Sequence, residues 1–90
     1  MFTITIEDTE NKDQNNKVSS LYFIITASYE NHSVNLDHTE TFNPPKDSIT
    51  IQEKNEIIGT FFKNNLNTLI SNLKSEAGVS DLGQMKVVIM

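Results

Sequence analysis

The chain has no cysteine, no tryptophan and no arginine, and only three glycines and two prolines. Each absence closes off a class of function. Without cysteine there is no disulfide staple, no thiolate nucleophile and no cysteine-based metal knuckle. The domain must therefore stand on hydrophobic burial, helped at most by self-association. Three glycines, at positions 59, 78 and 83, provide neither a phosphate-cradling loop nor a dinucleotide fingerprint. No serine sits in a nucleophile elbow. The expectation is a protein that is not an enzyme and takes no cofactor.

The missing arginine bears on partners. The seven basic residues are all lysine, set against 12 acidic ones, for a net charge of −5. Phosphate and base-edge recognition leans on arginine's planar fork, which lysine does not reproduce. Direct binding of nucleic acid is therefore not expected. An acidic chain is better suited to a basic surface on another protein or nucleoprotein complex, including that partner's own nucleic-acid site. Net acidity also serves plain solubility, which is the simpler explanation.

Long apolar runs are missing too. None approaches the roughly 18–20 residues of a spanning helix. The start, Met1 to Ile6, alternates and runs into acids without a basic leader segment. A cytoplasmic protein with no membrane contact is expected. Asparagine, isoleucine and lysine are plentiful, the bias of an AT-rich genome such as a low-GC bacterium or its phage.

What is present organises around residues 50–77. Ile51, Ile58, Phe62, Leu66, Leu69 and Leu73 recur at steps of three, four or seven, one face of an α-helix. Thr50 with Glu53 fits a capping box, Lys74 suits the negative end, and Gly78 is a natural stop. Gly59 inside the helix costs roughly 1 kcal/mol relative to alanine, with close packing as the usual reason. Ile57 and Phe61 widen the apolar arc on one flank, and Ile70 and Ala77 widen it on the other. A helix lying on a sheet needs an arc of only about 100°. The surplus either covers a loop or makes a second contact, so Ile57 and Phe61 are candidates for self-association as a homodimer.

The rest reads as strands. Phe2, Ile4 and Ile6 alternate with polar residues, and the polar stretch 8–17 then reads as a long exposed loop with Asp8 and Glu10 at its start. In 19–30, Leu21, Phe23, Ile25, Ala27 and Tyr29 share a core face, and the partly apolar opposite face suggests a central strand. A turn at Asn31-His32 would set Tyr29 opposite Val34, Ala27 opposite Leu36, Ile25 opposite His38 and Phe23 opposite Glu40. Pro44-Pro45 is expected to end the third strand. Residues 85–90 read as a last strand that is covered on both faces or interior to the sheet, preferably parallel to the first.

The expected whole is a single α+β domain spanning 1–90, in the order β-β-β-α-β. A mostly antiparallel sheet carries the helix on one face.

Ligand chemistry is thin. His32, Asp37, His38 and Glu40 form the one cluster, and His38 with Glu40 on a shared face falls short of the three or four ligands of a metal site. The sheet face away from the helix is more informative. There Tyr22 and Ile24 stand among threonines and serines, with Glu30 and Asp37 nearby. An aromatic anchor rimmed by acids fits a basic partner, although threonine-rich outer faces are ordinary. Asp8, Glu10, Tyr22, Ile24, Glu30 and Asp37 are the partner-binding candidates. Small acidic phage proteins that inhibit bacterial defence nucleases, anti-CRISPR proteins among them, resemble this chain in size, charge and lack of chemistry. The expected function is thus a non-enzymatic module that occludes a basic surface. The alternative is a structural or self-assembling subunit, such as a phage component or a homodimer through the helix flank or a sheet edge.

Overall fold

A computed structural model describes residues 1–89, and Met90, which the sequence assigns to the last strand, lies outside them. Strands β1 (Phe2–Lys12), β2 (Val18–Tyr29) and β3 (His32–Lys46) precede helix α1 (Ile51–Ala77), and β4 (Met85–Ile89) follows. The sheet order is β3-β2-β1-β4. The β1–β2 and β2–β3 pairs are antiparallel, and β4 runs parallel to β1. This is the α+β fold in the order β-β-β-α-β, with one long helix on one sheet face.

The helix ends follow from local chemistry. Thr50 is the N-cap in extended conformation, its hydroxyl accepts from the Glu53 N–H, and the Glu53 side chain accepts from the Thr50 N–H. Gly78 closes the other end at φ 70°, in the left-handed region open to glycine, and its N–H reaches the Lys74 carbonyl. Between them Ile58, Leu69 and Leu73 are buried against Phe2, Ile4, Leu21, Phe23 and Ile25. Strand alternation puts these on one side of the sheet, so the opposite side is left without a covering layer.

Several expectations need correction. First, the first half of the polar stretch 8–17 is strand. β1 runs on to Lys12 against β2, leaving only a tight tip in which Asp13 accepts from the Asn15 and Lys17 N–H groups. A polar sequence can hold a strand when its neighbour supplies the ladder.

Second, the β2–β3 turn is Glu30-Asn31, not Asn31-His32, with Tyr29 opposite His32 and Glu30 at φ 52°. This two-residue shift keeps every side chain on its face. It moves Leu36 opposite Ile25 and His38 opposite Phe23, and leaves Glu40 at the margin opposite Leu21. Burial decides the register, because Leu36 rather than His38 now lies against Ile25.

Third, β3 continues through Pro44 and Pro45 to Lys46. It is an edge strand, and between the Ser20–Thr41 and Val18–Lys46 pairs its extra residues bulge out. Prolines there withhold no ladder hydrogen bond. Fourth, β4 is an edge rather than an interior strand. Met85 and Val87 are each 44% exposed and Ile89 is 73% exposed. Ile51, expected in the helix's core stripe, is 77% exposed in the first turn. The helix packs over β2 and β3, so the β4 side of the sheet is left beyond its cover.

Candidate functional site

On the open sheet face, three strands bring one row of residues into register. Glu7 on β1 pairs with Ile24 on β2, which pairs with Asp37 on β3. One row along, Thr9, Tyr22 and Thr39 are aligned in the same way. The Tyr22 hydroxyl donates to Asp37 Oδ2 at 3.0 Å. That bond to the Asp37 carboxylate, with some desolvation, pushes the Tyr22 pKa above its ordinary value. The result is a half-buried aliphatic side chain between two carboxylates, with a tethered phenol beside it. Serine and threonine surround it. It offers hydrogen-bond acceptors and a small apolar contact.

The other partner-binding candidates lie elsewhere. Asp8 and Glu10 have the opposite strand parity to Glu7 and so fall on the helix side of the sheet. There Asp8 pairs with Lys54 of α1 at 3.0 Å, with both residues half-buried. Glu30 sits exposed in the β2–β3 turn. Tyr22, Ile24 and Asp37 are therefore brought together, joined by Glu7, while Asp8, Glu10 and Glu30 are not. Read with a strand that continues past residue 8, alternation alone would have separated Glu7 from Asp8.

The self-association candidates Ile57 and Phe61 are half-buried against the core on the β3 side of the helix. Phe61 meets Phe23 edge-on at 5.3 Å and stacks on His38 at 5.1 Å and 24°. His38 Nε2 lies 3.5 Å from Glu40 Oε1. Ile57, Phe61, His38 and Glu40, with Glu56, line an open groove of about 400 Å³. A second groove of about 340 Å³ runs along the other flank of α1, between Ile51, Ile58, Gly59 and Phe62 on one side and Ile6 and Ile89 on the other. The sequence signal for this second groove was Gly59, which has no side chain to fill it. Among the described residues, no group of three or more metal-ligating side chains is assembled, and no helix is long and apolar enough to cross a membrane.

Fold and site define a small acidic α+β domain with one uncovered sheet face. No family model, no curated protein and no solved structure matches the chain.

Proposed function

We propose that this protein is a non-enzymatic binding module whose open sheet face docks on a basic surface of a larger protein or nucleoprotein complex. The observation that supports it is the Glu7–Ile24–Asp37 row with Tyr22 tethered beside it, on a chain of net charge −5. Lysine or arginine side chains of a partner would meet the two carboxylates while their aliphatic stems cover Ile24. Masking a basic surface would make the module an inhibitor wherever that surface does work, a nucleic-acid site being the natural case. A phage inhibitor of a bacterial defence nuclease is the specific form this reading takes.

The test is a pull-down from source-cell lysate at low and high salt, using wild type, Asp37→Lys and Ile24→Lys, with partners identified by mass spectrometry. A single stoichiometric partner should be retained by wild type at low salt. It should be lost at high salt, since screening weakens charge steering, and lost by both variants. A partner held equally by Asp37→Lys and Ile24→Lys would remove the open face as the docking surface.

A further inference from the structure

The two edges of the sheet are built differently. On β3, Asp37, His38 and Glu40 with Pro44 and Pro45 guard the edge in the ways that keep strands from pairing at random. The β4 edge is guarded less, by its short length and by Lys86 alone. Its residues Met85, Lys86, Val87, Val88 and Ile89 include one charge, and no carboxylate occurs between Leu82 and Ile89. The exposed large hydrophobic residues lie around this edge. Met85, Val87 and Ile89 are on it, Ile51 shares the flanking groove with Ile89, and Met1 precedes Phe2, which pairs with Met85.

We propose that β4 is the contact between two copies of this chain, paired antiparallel about Val87 so that two four-stranded sheets join into one of eight strands.

Three observations select a second copy as the occupant. The first is the symmetry of the strand. With Val87 on the two-fold axis, Met85 of each copy lies opposite Ile89 of the other on the helix side. Apolar thus meets apolar on the helix side, while on the open face Lys86 lies opposite Val88, so that no two lysines oppose each other. The second is charge. Copies of net charge −5 repel one another wherever carboxylates face, and this carboxylate-free edge is where they can approach. The third is exposed apolar surface: Met85 and Val87 are each 44% exposed and Ile89 is 73% exposed on this one strand, apolar area that pairing would remove from water. The proposal is independent of the docking role of the open face, although pairing would extend that face across both copies.

A cysteine-free chain makes the test direct. Directly opposed residues of an antiparallel pair have Cα atoms about 4.5–5.5 Å apart, within reach of a disulfide. Val87→Cys should convert mostly to a disulfide-linked dimer under mild oxidation, while Asn35→Cys on the β3 edge should convert little. Light scattering on the wild type should give twice 10.2 kDa at high micromolar concentration. Val87→Lys, which sets two lysines face to face, should return it to 10.2 kDa with an unchanged circular dichroism spectrum. A wild type that stays monomeric across the concentration range, or equal cross-linking through Asn35→Cys, would overturn the proposal.

Discussion

Gly59 sits in mid-helix, and a Cβ built on it meets no atom within 4 Å. Close packing, the usual reason for a helical glycine, is therefore not what keeps it there. With helical backbone and open space, Gly59→Ala removes the entropic penalty without a clash. It should stabilise the protein by about 0.5–1 kcal/mol. For a domain this size that is a rise of several degrees in Tm, at roughly 4–8 °C per kcal/mol, readable by thermal denaturation. No change, or a fall, would mean the groove beside it is filled in solution. Other residues also acquire their meaning from neighbours the sequence does not announce. Asp8 reads as a free acid in a loop, yet Lys54 holds it, so reversing its charge would break an internal pair as well as alter the surface. Phe61 reads as spare apolar surface, yet its ring lies against Phe23 and His38, so Phe61→Glu would injure the core. The Asp37 and Tyr22 side chains bond to each other across the open face, away from the core, and remain clean places to substitute.

At the scale of elements, the helix was legible almost to the residue because its signals are local. The cap at Thr50, the partner at Glu53, the 3.6-residue period and the stop at Gly78 all lie within a turn or so of what they control. The strands were legible as faces and less so as registers. Alternation fixes which side each residue takes, but a shift of two leaves that pattern intact, and only the fit of Leu36 and His38 against Ile25 and Phe23 decides it. The extension of β1 to Lys12 left no local trace, since its ladder is supplied by β2. The capping box carries its own prediction. Lys46, bonded to Glu53 Oε2 at 2.9 Å, and the Thr50 N–H together hold the Glu53 pKa below its ordinary 4.5. A carboxylate lowered on folding adds stability above its unfolded value, and that stability is lost as pH falls through the folded value. Glu53→Gln should thus lie below wild type in Tm at neutral pH, and the two should converge on acidification. Thr50→Ala, which removes the other half of the box, should cost about 1 kcal/mol at neutral pH. A Glu53→Gln gap that persists unchanged into acid would assign the effect to packing rather than to charge.

The whole molecule is long for its length of chain. Its extents are 48 × 20 × 20 Å and its radius of gyration is 15.1 Å, against about 12 Å for a compact 90-residue domain. One helix and one sheet face make a core that is a strip, with Ile4, Leu21, Phe23, Ile25, Leu69 and Leu73 at its centre. The β1–β2 hairpin runs beyond it to a polar tip at residues 13–17, where a turn and the Lys17–Asp47 ion pair are the ties. That pair is surface-exposed, and such pairs contribute little. Local opening should therefore fall off along the long axis. Amides of Phe23 to Ala27, on a strand paired on both sides and buried beneath the helix, should exchange with solvent only through global unfolding. Amides of residues 13–17 should exchange orders of magnitude faster, by fraying that leaves the centre intact. Residue-resolved hydrogen exchange distinguishes the cases. A gradient along the hairpin identifies a stable strip with a loose end, whereas uniform protection to the tip would require the hairpin end to be held by contacts beyond those within one copy of the chain.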